Sequence, residues 1–310
     1  MRILVLGGTG FIGSHIVDAL LEAGHVIKVL DRTLKYRNDK FPQHVEYIQA
    51  DFSDSLVLLE ALTGIDAVIH LVSSTVPGTS NLDPIADIQS NLVNSVNLFK
   101  AMQQADVKRI IYFSSGGTVY GNPMQLPISE SHSTHPISSY GIIKLAIENY
   151  LFMHQKLYGL IPIVLRLSNP YGPRQGHLGA QGVVGTFLRQ IMQNQPIKIW
   201  GDGSVIRDYI YIADAVSACL AAIDSEVQGV FNVGSGAGYS LLDIIQAIED
   251  CTQQKAQLIF EPKRGFDVKE VVLDCSLAKE KFNWLPKYSL VQGVGFHYEW
   301  LLNLEKKVKL

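Results

Sequence analysis

Cysteine, charge and long apolar runs are all scarce in this chain. Its three cysteines, Cys219, Cys251 and Cys275, stand far apart in apolar or helical text. An odd, scattered set makes no disulfide framework and suits a reducing cytosol. Only 18% of residues are charged and the formal net charge is −3. With no block of lysine or arginine, nucleic acid is not an expected partner. No apolar stretch has the length to cross a bilayer, so no membrane partner is expected either. Glycines interrupt the aliphatic start and no small-x-small cleavage site follows, which argues against a secretory signal. A cytoplasmic, unanchored globular protein is expected. Its 310 residues, 47% of them hydrophobic, suffice for one large domain and a smaller one.

Glycine, by contrast, is placed with purpose. Residues 2–6, Arg-Ile-Leu-Val-Leu, have the length and aliphatic content of a buried parallel strand, and Gly7, Gly10 and Gly13 follow at a spacing of three. A strand turning directly into a helix needs a tight bend, a close approach of backbone to phosphate, and close helix–strand packing. A Cβ obstructs each. Phe11 and Ile12, set between the glycines, are expected to touch the cofactor with Gly13, and the free N–H groups and positive dipole end of the helix that follows would face a pyrophosphate. A second strand over 26–30 ends at Asp31, about twenty residues past the loop, where a carboxylate would bind the adenosine ribose diol. Asp31 favours NAD because it would repel a 2′-phosphate, while Arg32 beside it leaves some room for NADP.

Short aliphatic runs recur at 45–49, 67–71, 109–113 and 161–165. Helical patterns over 13–23, 55–62, 85–105, 139–158 and 183–193 lie between or after them. Strands alternating with helices predict an α/β fold, a Rossmann-type doubly wound parallel sheet with ligands at the carboxyl ends of its strands. From about residue 169 the alternation loosens into proline and glycine. A smaller C-terminal α/β substrate lobe is expected there, with strands over 197–200 and 257–260 and helices over 213–223, 241–251 and 290–305. The expected division is 1–168 for cofactor and 169–310 mainly for substrate, with some return of the second part to the sheet.

Tyr140-Gly-Ile-Ile-Lys144 carries the strongest chemical signal. A spacing of four on a helix puts phenol and ammonium on one face, one turn apart. Here the chain resembles the extended short-chain dehydrogenases/reductases of the nucleotide-sugar epimerase/dehydratase family, those like UDP-glucose 4-epimerase. The resemblance runs through Gly-Gly-Thr-Gly-Phe-Ile-Gly-Ser-His at 7–15, Ala50-Asp51, 114–121, 140–144, Asn169-Pro-Tyr-Gly-Pro-Arg174, Gly201-Asp-Gly203 and Arg207-Asp-Tyr209. A free tyrosine, with a pKa of about 10, is a poor base at neutral pH. Lys144 and a cationic nicotinamide would lower that value, letting Tyr140 remove a sugar hydroxyl proton as hydride leaves the same carbon. The resemblance also gives Lys144 a hold on the nicotinamide ribose.

Family members carry Ser or Thr three residues before the Val of Val-Tyr-Gly, and that position here is Gly116. Ser115 or Thr118 is expected to substitute. The resemblance separates reactions too: sugar 4,6-dehydratases carry Asp-Glu where this chain has Gly117 and Thr118, and decarboxylases use a Glu there. One base and a returnable hydride remain, which describes 4-epimerisation. A ketoreductase or dehydrogenase of the same fold, and a nucleotide-binding protein with lapsed catalysis, stand as alternatives.

The resemblance further implies Asp51 and Phe52 at the adenine, Leu71, Val72 and Ser73 beside ribose and pyrophosphate, and Asn91 near these loops. For substrate, Arg207 and Arg264 match diphosphate-binding arginines, whose forked donors suit two phosphate charges. Asp267 would accept from the ribose and Asn169 would contact sugar or diphosphate. Val271 stands where a bulky Tyr restricts relatives to unmodified hexoses, implying a roomier pocket. Arg207 paired with its neighbour Asp208 is the lesser alternative. His132 and His135 lack a third ligand, so no metal is assigned. Helices 85–105 and 139–158 resemble those that pair in family homodimers.

Overall fold

The structure, a computed structural model, describes residues 1–33, 45–175, 182–262 and 268–308. Strands and helices alternate through its first half as β1 (Arg2–Leu6), α1 (Phe11–Glu22), β2 (Val26–Asp31), β3 (Glu46–Gln49), α2 (Ser55–Ala61), β4 (Ala67–His70), α3 (Pro84–Asp87), α4 (Asn94–Gln104), β5 (Arg109–Ser115), α5 (Ser139–Tyr158) and β6 (Ile161–Leu167). Successive side chains on a strand face opposite ways, so strands that are apolar throughout need cover on both sides. Ile3, Val5, Ile27, Val29, Ile69 and Ile111 join one buried cluster, which α1 closes with Ile16, Val17 and Leu20. Leu4, Leu6, Leu30, Val68 and Ile110 join another, closed by Leu58 of α2, Leu98 and Phe99 of α4, and Ile147 of α5.

All neighbours in this sheet are parallel, in the order β3-β2-β1-β4-β5-β6 and then Gly229–Val233. This is the doubly wound sheet expected. Its seventh strand comes from the second half of the chain, with Phe231 opposite Leu165 of β6. The helix Ile212–Ile223 returns as well, packing against α1. Outside the main sheet, Ile206–Tyr211 pairs with Asn169–Tyr171, Gly238–Tyr239 and Glu270–Val271. Ile197–Trp200 pairs with Leu258–Glu261. The first of these sheets is joined directly to the carboxyl end of β6, which Asn169–Tyr171 follows in the chain.

Two helices bear on the site. α5 has the bounds its pattern predicts: Ser138 caps it by accepting from the Gly141 N–H, and Gly159 ends it with φ +71°. The single helix expected over 85–105 is corrected to three pieces. Asp83 caps a one-turn α3, a π-helical segment Ile88–Val93 follows, and α4 resumes the α geometry. Asn94 Nδ2 and Ser95 Oγ bond the Ser90 and Asn91 carbonyls in this widened turn, at 3.1 and 2.6 Å. Side-chain competition of this kind loosens the regular ladder, and π turns gather at functional sites.

Candidate active site

The glycine loop folds as its spacing requires. Gly7 has φ +82° and donates to Leu30 O at 3.0 Å, while Gly10 N–H closes back on Gly7 O at 3.1 Å. A Cβ on Gly13 would strike that same Gly7 oxygen, so α1 reaches the strand only with glycine there. Asp31 lies across the loop at the end of β2. Its Oδ2 accepts from Thr9 N–H at 3.1 Å and Thr9 Oγ1 at 2.7 Å, and its Oδ1 accepts from Arg32 N–H at 2.7 Å. The Arg32 guanidinium turns to Asp51, 3.8 Å away. The Ser53 N–H, with Arg32 in a smaller part, holds the Asp51 carboxyl below its ordinary range against burial.

A cleft of about 310 Å³ opens above this loop. Gly7, Gly10, Asp31, Arg32, Asp51, Phe52, Leu71, Val72 and Ser73 all line it, so nine of the residues expected at a dinucleotide share one wall system. Phe11, Ile12 and Gly13 form the first turn of α1 beside it. Asn91, 5% exposed, braces the loop after β4: its Oδ1 accepts from Ser74 N–H and its Nδ2 donates to Ser74 Oγ, both at 2.9 Å.

Tyr140 and Lys144 line a small cavity next to the cleft, and Val72 and Ser73 belong to both. The buried Lys144 ammonium donates to Phe113 O at 2.8 Å, 4.9 Å from the Tyr112 ring centre and 5.5 Å from that of Tyr140. Burial pulls its pKa down to about 8, with Glu148 and Asp87 pulling upward. Burial pushes the Tyr140 phenol up to about 12, opposed by a hydrogen bond with Ser73 and reinforced by Asp87. In the protein alone, burial outweighs any lowering by Lys144. Its ammonium is aimed at a backbone carbonyl, and desolvation dominates the phenol.

Ser115 ends β5 and Thr118 lies in the turn behind it. Thr118 O packs against Gly141, where a Cβ would come within 2.7 Å, so this turn abuts the helix next to Tyr140. Thr118 Oγ1 is buried without a hydrogen-bond partner among the described residues. Gly116 has its own physical reason: a Cβ there would lie 2.5 Å from Leu273 Cδ1 and 3.0 Å from Arg166 O.

Asn169 and Arg207 come from the adjoining strands of the second lobe. Asn169 Nδ2 donates to Asp208 O at 2.9 Å, and Arg207 Nη1 donates to Ile206 O at 2.8 Å. Asp208 answers to other groups than Arg207. Fully buried, it accepts from Ser235 N–H and Oγ, Gly236 N–H and Leu273 N–H at 2.7, 2.9, 3.2 and 3.2 Å. Val271 pairs with Arg207 in register and is buried. Arg264 and Asp267 lie outside the described residues. Among the described residues no three His, Cys, Asp or Glu side chains group as metal ligands. His132 serves its own loop, accepting from Met124 N–H at 3.1 Å.

Five residues of this site went unread in the sequence. Thr9 holds Asp31; a hydroxyl inside the glycine loop was the signal. Glu148 continues the spacing of Tyr140 and Lys144 by one more turn, and Arg166 clamps it with Nε at 3.1 Å and Nη2 at 2.6 Å. Ser114 Oγ donates to the same carboxylate. Asp87 lines the Tyr140 cavity from α3.

Residues 3–234 match the model of the NAD dependent epimerase/dehydratase family. The chain belongs to that family. Membership makes it an NAD-dependent enzyme of the epimerase/dehydratase class. It is 36% identical over 314 residues to the UDP-glucose 4-epimerase of Mycolicibacterium smegmatis, covering 98% of this chain and 99% of that one. Its fold superposes with a TM-score of 0.94 on the Thermotoga maritima UDP-glucose 4-epimerase with UDP-glucose, at 34% identity, 98% of this chain and 100% of the other. Against the Thermus thermophilus UDP-glucose 4-epimerase complex with NAD the TM-score is 0.91, at 31% identity, 97% of this chain and 99% of the other.

Proposed function

We propose that this chain is a nucleotide-sugar 4-epimerase acting on UDP-hexoses, with NAD held in the cleft between Gly7 and Asp31. The observation that carries the reading is the shared wall: Val72 and Ser73 line both the cleft above the glycine loop and the cavity of Tyr140 and Lys144. NAD, when bound, supplies the acceptor and returning donor of a hydride. The residues of the chain manage the proton and the orientation. Asp31 would accept from the adenosine ribose, and the N–H groups at the start of α1 would face the pyrophosphate. Tyr140 takes the proton from the sugar 4-hydroxyl and gives it back after the keto sugar has turned. Lys144 positions the nicotinamide ribose, and Ser115 with Thr118 offers the hydroxyl that orients the sugar. Gly117 and Thr118 leave the site without the acid–base pair that dehydration needs.

Residues 1–168 are assigned mainly to cofactor and 169–310 mainly to substrate. Arg207 and Arg264 would take the diphosphate, Asp267 the nucleoside ribose, and Asn169 the sugar or diphosphate. Val271 in place of a bulky side chain leaves room for an N-acetyl group, so turnover of UDP-N-acetylglucosamine should be comparable to that of UDP-glucose. Exposed apolar side chains support a homodimer: Ile142, Tyr150, Met153 and Leu157 fall on one face of α5, and Ile85 and Ile88 lie nearby at 69% and 43% exposure. No helix among the described residues is long and apolar enough to cross a membrane, and the reading places the enzyme in the cytoplasm.

The test incubates purified protein with UDP-, dTDP- and GDP-sugars and separates the epimers. Interconversion of UDP-glucose and UDP-galactose without net change in reduced-nicotinamide absorbance is expected. Stoichiometric gain or loss of that absorbance would make the chain a dehydrogenase or ketoreductase instead. Light scattering at micromolar concentration reads the dimer, and a monomeric mass removes it.

A further inference from the structure

Asp87 is a buried charge to which the chemistry above gives no task. It is 1% exposed, and its three hydrogen-bond donors are all neutral. Thr75 Oγ1 and Asn91 Nδ2 reach its Oδ1 at 2.6 and 2.8 Å, and Ser139 Oγ reaches its Oδ2 at 2.7 Å. These donors come from three separate places: the loop carrying Ser73, the π-helical segment, and the first turn of α5 immediately before Tyr140. A buried carboxylate is costly to keep unless it meets charge as well as hydrogen bonds.

Lys144 is the cation it shares a cavity with. Facing Lys144 are Asp87 from α3, Tyr112 from β5 and His70 from β4, with Tyr140 and Glu148 on its own helix. The two carboxylates are not equivalent. Glu148 is clamped through both oxygens by Arg166, so much of its charge is answered there, whereas Asp87 is bonded only by hydroxyl and amide groups. Facing Tyr140 are Asp87, Ser73 and Tyr112.

We propose that Asp87 is a positioning residue of the catalytic pair: it ties the first turn of the Tyr140 helix to the Ser73 loop and acts beside Glu148 as a second counter-charge to the Lys144 ammonium. The proposal rests on Tyr140 and Lys144 being that pair. Removing the charge while keeping the shape should free the Lys144 proton more easily and ionise the Tyr140 phenol more easily.

Asp87→Asn in the NAD-bound enzyme tests this in two ways. With isotope-labelled lysine, NMR should show Lys144 titrating about one unit lower than in wild type; an unmoved titration overturns the proposal. In the epimerase assay both limbs of the kcat/KM pH profile should move down by about the same amount, while Ser139→Ala, which keeps the charge, lowers kcat with the limbs in place. Limbs unmoved in Asp87→Asn likewise overturn it. Should Asp87→Asn not fold, Glu148→Gln in the same titration decides: Lys144 still charged through neutral pH supports Asp87 as a counter-charge, and Lys144 neutral there ends the proposal. Wild-type protein inactive on every nucleotide sugar would sink the epimerase reading alone, since the lysine titration needs no turnover.

Discussion

Gly116 and Leu273 occupy one volume between them, with Leu273 Cδ1 only 2.5 Å from where a Cβ at 116 would stand. Restoring the family's hydroxyl at this place overfills it, and Arg166 O at 3.0 Å blocks backbone relief. Gly116→Ser should therefore cost about 1–3 kcal/mol of stability. Leu273→Ala in the same chain should return part of that loss. A double-mutant cycle of thermal melts measures the coupling, and strictly additive effects would separate the two residues.

Tyr140→Phe keeps the ring and its packing but removes the proton carrier. Epimerisation should fall by at least about a hundredfold, while NAD content after purification stays at the wild-type level. Full activity in this variant refutes the mechanism.

Asp31→Asn removes the charge to which Thr9 and Arg32 N–H donate. A hydrogen bond to a charged group contributes about 1.5–3 kcal/mol, so NAD affinity should drop at least about tenfold. Discrimination against NADP should weaken at the same time, because the repulsion of a 2′-phosphate is gone. Calorimetric titration with both cofactors reads the ratio, and an unchanged ratio would remove Asp31 from the ribose.

Glu148→Gln leaves Arg166 buried without its counter-ion. The pair is 2% and 6% exposed, so solvent does little to soften the change, and a loss of about 3–5 kcal/mol is expected. Chemical denaturation would measure it. A loss under about 1 kcal/mol would mean that the clamp is replaced by other donors.

Acid should weaken the fold from near neutrality downward. Burial pushes His70 and His297 down to about 3, below the value of about 6.5 that an unfolded histidine has. Between those values the unfolded chain binds the extra protons, so stability falls as pH drops from about 6.5 toward 3, by up to about 1.4 kcal/mol per unit for each histidine. His70→Gln should flatten the slope of melting temperature against pH in that range. An unaltered slope would assign it to other groups.

Most of the first half was legible because local rules there agree. Gly7, Gly10 and Gly13 mark a strand–helix turn in which Gly7 takes a positive φ and a Cβ on Gly13 would strike backbone, and Ser138 and Gly159 bracket α5 at the places its pattern begins and ends. The π-helical segment was hidden because Asn94 and Ser95 look like ordinary helix-surface residues; only their bonds to the Ser90 and Asn91 carbonyls show the widened turn. Gly229–Val233 was hidden for another reason. Its pairing with β6 spans more than sixty residues of chain, and no periodicity within five residues can announce so distant a partner. The burial that raises the Tyr140 phenol was also out of reach, since it turns on how deeply the ring lies.

That borrowed seventh strand has a consequence for how the protein is made. While the ribosome has delivered only the first 168 residues, β6 is an outer strand with a full row of unpaired N–H and C=O groups and the apolar side chains of Ile163, Val164 and Leu165. Such an edge recruits other chains. The nascent protein must carry it until Gly229–Val233 emerges, so truncations ending between these strands should collect in the insoluble fraction.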